Sequence, residues 1–413
     1  MNLIARALLL MLCISVAFST SSYGQKCTTS KKRAELLQNN PQLAYGLALR
    51  ERATQQWIAE NLDQVRTRSV VTLPLVVHVV WYEEEENISE AQIQSQLDVL
   101  NEDFRKLNTN FSDGPMPFQA LAADIEIEFC LASFDPDGNP TNGITRRETF
   151  IEGIGGSDDL YYDDYGDIAT WDPDRYINIW VCQMGEDDGL GFAYIPGTAD
   201  PPETDGIVIG HQYFGTVGTA ADTEDYNLGR TATHEMGHYF NLEHVWGPED
   251  GGCNEDDFVA DTPPQFTESE GCLSFPSYDD CTDSGNGIMF NNYMDYSDDR
   301  CATMFTQGQK MRMLAALNGP RSSLLSSNAC GLLTSVEDEL AKANINLYPN
   351  PAQNRLFISD QVAGEIYDAM GKKMLTFDNN QGIGIDITRL TSGVYFVRFQ
   401  DKRLAPQKFL VVK

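Results

Sequence analysis

Three of the five histidines in this 413-residue chain fall within eleven residues, "HEMGHYFNLEH", at 234–244. Histidines four apart on a helix project from one face about a turn apart, so His234 and His238 can reach a single metal ion. His244 comes six residues after His238. A helix running straight on would carry it about 9 Å along the axis, at ~1.5 Å per residue. It reaches the same ion only if the helix stops and the chain turns back near residue 241. Such a turn usually needs a positive φ, which glycine adopts most readily and asparagine next. Asn241 is therefore expected in a left-handed conformation. Any fold for this chain must provide a short helix with an abrupt end.

The residue types point to zinc. Three imidazoles with a fourth position left open to water form a catalytic zinc arrangement rather than a structural one. Glu235 follows the first histidine and can hold the water on the metal. Zinc brings the pKa of that water to roughly 7, and a carboxylate there can take its proton and later pass it to a leaving amine. The five-residue HExxH pattern alone occurs by chance, whereas the eleven-residue form is much more specific. A secreted zinc-containing binding protein or adhesin without turnover is the rival reading. Retention of Glu235 argues against it, because a structural site needs no general base.

Composition narrows the partners. The formal net charge of −32 disfavours nucleic acid, whose phosphates would be repelled. The run "EEEE" at 83–86 reads as a solvated loop. The N-terminal "MNLIARALLLMLCISVAFSTSSYGQ" has a basic start, an apolar run and small polar residues. It reads as a secretory signal over 1–24. No other stretch is long and apolar enough to span a bilayer, so the mature protein is expected to lack a transmembrane segment. Losing Cys13 with the signal leaves eight cysteines, an even number that favours disulfides in an exported chain. Cys253, Cys272, Cys281 and Cys301 crowd into one loop-rich region, with three pairings open. Cys130 and Cys182 lie in expected strands and either pair or stay buried as thiols.

Residues 25–68 are basic and helical in spacing, ending in "RTRSV", a segment that a trypsin-like activity could cut. They read as a pro-segment, with an attached helical subdomain as the alternative. From 69 to 330 the pattern is that of a sheet with helices packed on it. "LPLVVHVVW" is its central strand, with His78 as a packed core histidine. "SEAQIQSQLDVLNEDFRKLN" is an amphipathic helix with a capping box at Ser89 and Gln92, and Ile93, Leu97, Leu100, Phe104 and Leu107 on one face. "IEIEFCLA", "RYINIWVCQ" and "GIVIG" are further strands. Residues 345–413 hold short alternating strands and turns, a small all-β sandwich. The fold class is α+β.

With these motifs in place, the chain resembles the metzincin clan of zinc peptidases and, within it, the pappalysin family. Besides the histidine motif, "NNYMDYSDD" at 291–299, "GGCNEDDFVADTPPQ" and the strand–helix run from "LPLVVHVVW" to "DGIVIG" carry the likeness over roughly residues 73–320. The resemblance implies a mixed twisted sheet, an active-site helix, a Met-turn and a C-terminal helix. It also implies an endopeptidase acting on proteins or peptides, with zinc on His234, His238 and His244 and Glu235 as the base. Met294 would form the floor beneath the metal, and Tyr296 would hydrogen-bond the oxyanion. Asp299 would line the pocket for the residue after the scissile bond, favouring Arg or Lys. Asp257 and Thr262 match calcium-binding positions, with Asp256 and Asp261 nearby. The family pattern pairs Cys253 with Cys281 and Cys272 with Cys301. Cys27 matches a pro-segment cysteine that fills the open zinc position, although "KCTTS" departs from the "RCGT" form. A Cys27–Cys330 disulfide is the competing use.

The elements "LYPNPAQNRLFI", "DAMGKKM", "LTSGVYFVRF" and "KFLVVK" resemble the C-terminal sorting domain of the type IX secretion system. That likeness implies export across an outer membrane, by that secretion machinery, to the medium or the cell surface.

Overall fold

The computed structural model describes residues 27–62, 69–163, 169–186, 188–248, 251–331, 347–358, 363–368, 372–378, 384–399 and 407–413. The expected secretory leader and Arg66–Arg68 lie outside them. The chain divides into two units, Met1–Gly331 and Leu332–Lys413.

The first unit is built on β1 (Val71–Trp81), in which residues 73–80 are all buried. A strand this apolar needs neighbours on both edges and cover on both faces, as in parallel sheets. Along one edge it pairs in succession with β2 (Ile127–Leu131) and β3 (Ile144–Glu148). On the other side the order runs β4 (Ile177–Cys182), β6 (Gly206–Gly210), β5 (Gly191–Ala193). All pairings are parallel except that of β5, which is antiparallel to β6 and forms the edge.

The helices of this unit are α1 (Thr29–Asn39), α2 (Gln42–Asn61), α3 (Glu90–Phe104), a one-turn α4 (Met116–Gln119), α5 (Arg230–Tyr239) and α6 (Gln307–Asn318), with α3 packed on β2, α5 on β5 and β6, and α2 against α6. Ile93, Leu100 and Phe104 of α3 join Ile179, Met236, Met294 and Leu317 in one core. Leu107 does not belong to that face. The helix ends at Phe104, Lys106 turns the chain with φ 53°, and Leu107 is left 67% exposed. Ser89 caps α3 by accepting from the Gln92 N–H. The Gln92 side chain does not return to the cap. It donates instead to the carbonyls of His211 and Phe214, so it ties α3 to the segment after β6.

Other features differ from the sequence expectation. Cys130 is bonded to Cys330, while Cys182 and Cys27 are free and buried. Cys130 on β2 and Cys182 on β4 cannot pair, because β1 lies between their strands. Two strand spacings are roughly 9.6 Å, beyond the reach of a disulfide. The Cys27–Cys330 alternative fails because Cys330 is already taken. The acidic run at 83–86 is not wholly solvated: Glu86 is buried, and its carboxylate accepts the Tyr82 N–H. His78 is a core histidine stacked on Trp180, with ring nitrogens 2.7 Å from Thr145 Oγ1 and 2.9 Å from Asn178 Oδ1. Burial lowers its pKa to about 4.

The second unit is all-β. One sheet runs β10 (Lys373–Asp378), β9 (Ala363–Asp368), β12 (Gly393–Phe399), β13 (Gln407–Val411). The other runs β11 (Ile385–Asp386), β8 (Arg355–Ile358), β7 (Leu347–Tyr348). Pairing is antiparallel throughout. Strict alternation in β12 buries Tyr395, Val397 and Phe399 against Leu356, Ile366 and Phe409.

Candidate active site

Helix α5 stops where the histidine spacing requires. The Phe240 N–H donates to the carbonyls of Met236 and Gly237, Asn241 takes φ 72°, and the Leu242 N–H closes back on the Gly237 carbonyl at 3.0 Å. The Leu242 carbonyl then lies 2.8 Å from His238 Nδ1. On the other histidine of the helix, His234 Nδ1 is 2.7 Å from the Tyr293 carbonyl. With each Nδ1–H given to a carbonyl, each Nε2 presents a lone pair. His238 Nε2 is 3.1 Å from both His234 Nε2 and His244 Nε2. The lone pairs of His234 and His238 repel at that distance unless a cation lies between them. The donor atoms of Cys27, His234, His238 and His244 all lie within 4.8 Å of one another and are buried. Three imidazoles and a thiol form a donor set for a borderline-soft divalent metal.

The floor of the site comes from the segment after α5. Met294 is fully buried, and its Sδ lies where a side chain on Gly237 would stand. That close approach requires glycine at 237. Trp246 stacks on His244 with ring centroids 4.4 Å apart. None of Tyr293, Leu242 or Trp246 was singled out from the sequence, because two of these contacts are made by backbone carbonyls.

Glu235 is fully buried, and burial raises its pKa to about 8. Among the described residues its Oε1 has no hydrogen-bond partner, whereas Oε2 is held from Thr29 of α1 and from Cys27. The Thr29 hydroxyl donates to Oε2 at 3.2 Å, and Cys27 Sγ lies 3.5 Å from it. Thr29 Oγ1 also accepts the Ala193 N–H of edge strand β5 at 2.9 Å. The Thr28 N–H donates to the Gly191 carbonyl, so residues 27–29 run beside β5 in a parallel bridge. Tyr296 donates its hydroxyl to the Cys27 carbonyl at 3.0 Å. The N-terminal segment thus engages Glu235, Tyr296 and the edge strand together. Thr29 was missed in the sequence, where only its position two residues after Cys27 marks it.

A cavity beside these groups is lined by Cys27, Arg230, Glu235, Tyr296 and Asp299, among others. Asp299 is buried, and its Oδ2 accepts the N–H groups of Leu228 and Arg230. Burial raises its pKa to about 6. Cys253 is bonded to Cys281 and Cys272 to Cys301. Asp257 and Thr262 sit apart from this cavity and touch each other, Thr262 Oγ1 donating to Asp257 Oδ2 at 2.7 Å. Asp261 is half-buried and caps α6, accepting from Thr306 Oγ1 and the Gly308 N–H.

Comparison with known proteins agrees with this geometry. A family model described as Peptidase_M43, pregnancy-associated plasma protein-A, matches residues 161–318. An extracellular metalloprotease of Arthroderma otae is 31% identical over 250 residues, covering 60% of this chain and 77% of the relative. The chain belongs to the M43, or pappalysin, family of metallopeptidases. Mature mirolysin of Tannerella forsythia, solved with a cleaved peptide, is 45% identical and superimposes with a TM-score of 0.60 over 63% of this chain and 97% of that one. A promirolysin mutant of the same organism is 40% identical, with a TM-score of 0.63 over 73% and 97% of the two chains. Residues 346–413 match a secretion-system C-terminal sorting domain. This M43 peptidase is therefore a secreted or cell-surface metalloprotease. Among the described residues no helix is long and apolar enough to cross a membrane.

Proposed function

We propose that this peptidase is a zinc endopeptidase made as a zymogen, with His234, His238 and His244 as its metal ligands. The observation that carries the reading is the meeting of three Nε2 atoms beside a glutamate whose Oε1 is buried and unpartnered. A zinc ion held there would supply Lewis acidity and an activated water. Glu235 would take the proton of the attacking water at Oε1 and hand it to the leaving amine. Tyr296, freed from the Cys27 carbonyl, would turn its hydroxyl to the carbonyl oxygen as charge develops there. Met294 and Tyr293 would hold the ligands in place from below.

Latency follows from the same contacts. The Cys27 thiol stands among the three histidines, and Thr29 holds the base. Both leave together when residues 25–68 are removed. The promirolysin likeness supports this zymogen reading. Asp299 would favour Arg or Lys after the scissile bond, because a buried carboxylate rewards a charge-assisted hydrogen bond. Asp257 and Thr262 would belong to a structural calcium site; burial raises the Asp257 pKa to about 7, a cost that a bound cation would remove. The N-terminal leader and the sorting domain would send the chain through the type IX secretion machinery, with protein or peptide substrates outside the cell.

The test is cleavage of a quenched peptide library by the processed enzyme, with and without a zinc chelator, beside Glu235→Ala. Chelator-sensitive cleavage before Arg or Lys, reduced at least ~10²-fold in the variant, is expected. A zinc-loaded, processed enzyme that cleaves nothing would favour the binding-protein reading.

A further inference from the structure

The cavity that holds Asp299 also holds a cation. Arg230, the first residue of α5, lines it and is 8% exposed. A guanidinium this close to Asp299 would be its natural partner, and the two charges would then cancel. The structure pairs them differently. Arg230 Nη1 donates to the Asp103 carboxylate at 2.6 Å, and Nη2 donates to Asn110 Oδ1 at 3.2 Å. Among the described residues, the Asp299 carboxylate accepts backbone N–H groups, from Leu228 at 2.8 Å and from Arg230 itself at 3.2 Å.

Asp103 lies on α3, is not among the residues that line the cavity, and is fully buried in its side chain. It also accepts from Thr233 Oγ1 at 2.6 Å and from the Tyr293 hydroxyl at 2.9 Å. Two donors besides Arg230 hold this carboxylate in place. Taken as a triad, Asp103, Arg230 and Asp299 sum to −1. Without Asp103 the remaining pair sums to zero.

We propose that Asp103 is a positioning residue that sets substrate selectivity: by claiming Arg230, it leaves the charge of Asp299 for a basic substrate side chain. The proposal rests on the reading of Asp299 as part of the pocket for the residue after the scissile bond. It assigns the selectivity of that pocket to a carboxylate that never touches substrate. Two consequences of opposite sign follow. Removing the Asp103 charge lets Arg230 neutralise Asp299, and removing the Arg230 charge leaves the pocket more negative than before.

The experiment measures kcat/KM of the processed, metal-loaded enzyme on two peptides that differ only in Arg or norleucine after the scissile bond. The ratio of the two values is compared for the wild type, Asp103→Asn, Arg230→Gln, the double variant and Asp299→Asn. In Asp103→Asn the Arg/norleucine ratio is expected to fall about tenfold, since charge complementarity in a dry pocket sets it. In Arg230→Gln it should stay or rise, and in the double variant it should return to within about threefold of the wild type. If Asp103 only supports the fold, both peptides slow equally in Asp103→Asn and the ratio stays, which overturns the proposal. Should Asp103→Asn fail to fold by thermal melt, the charge-balanced double variant carries the test: a ratio well below the wild type overturns the proposal. A wild type with no preference for Arg, unchanged in Asp299→Asn, overturns the pocket reading instead. Opposite shifts in the two single variants would still uphold the division of charge.

Discussion

The two halves of the first unit that meet at the histidines are held together by different forces. From β1 to α5 the chain is organised on the sheet, whose inner strands β1, β4 and β6 are buried and apolar. Between Tyr239 and Gln307 the described residues form no helix or strand, yet Met294, Tyr296 and Asp299 are as buried as the sheet. Loops of this length without their own secondary structure are uncommon in compact domains. Here two disulfides and a set of buried polar groups replace the missing ladders. Asp295, for example, accepts from Gln265, from Ser269 through both its N–H and its hydroxyl, and from the Tyr296 N–H. The sheet half carries His234, Glu235 and His238. The stapled half carries Met294, Tyr296 and Asp299, on loops whose sequence can vary without disturbing the sheet.

This contrast can be broken by experiment, and the largest effect should come from the sheet. Ile179, fully buried in β4, should cost about 4 kcal/mol on truncation to Ala. Chemical denaturation would measure it, and the loss should be the same with the staples intact or removed. Replacing Cys272 and Cys301 together by Ala should cost about 3 kcal/mol for a loop of this length. That loss should be accompanied by faster proteolysis within 240–306 and little change in the sheet. Equal proteolysis in both halves would show that they unfold as one.

Acid titration separates the halves by sign. His78 in the sheet has its pKa lowered from 6.5 to about 4. The unfolded chain therefore binds the extra proton first, and stability falls as pH drops from 6.5 towards 4, by about 3 kcal/mol. Asp299 in the stapled half has its pKa raised from 3.8 to about 6. Its folded form binds the proton first, so its contribution is present below 3.8 and is lost as pH rises through 6, again by about 3 kcal/mol. His78→Gln and Asp299→Asn should each flatten one of these slopes, read from thermal melts across pH. The smallest effect is expected at the joint between the halves. Asn241→Ala should cost about 1 kcal/mol for forcing a β-carbon into the left-handed region, while Asn241→Gly should be close to neutral. A larger loss in the glycine variant would show that the Asn241 side chain matters, through its 3.5 Å contact with Thr54.

Local periodicity made the first half largely legible. Continuous apolar runs marked β1, β4 and β6, and i, i+4 spacing marked α5. The short β5 escaped notice because three residues, Gly191–Ala193, carry no pattern. In the stapled half only residues bearing a motif stood out. Asp103 left a trace, standing on the apolar stripe of α3 three residues after Leu100, where a carboxylate implies a buried partner. Nothing in the sequence named Arg230 as that partner.

By itself, the sequence determined that the chain carries three histidines on a helix that must end abruptly, a glutamate beside them, a sheet with helices packed on it and a second all-β unit. These follow from spacing, which acts over a few residues and survives any packing. Only the tertiary structure decided that Cys130 bonds Cys330, that Cys27 and Thr29 meet Glu235, and that Arg230 turns to Asp103 rather than Asp299. Each of those choices joins residues at least 100 positions apart. Between such distant groups partners are selected by burial and charge in three dimensions, which one-dimensional spacing does not record.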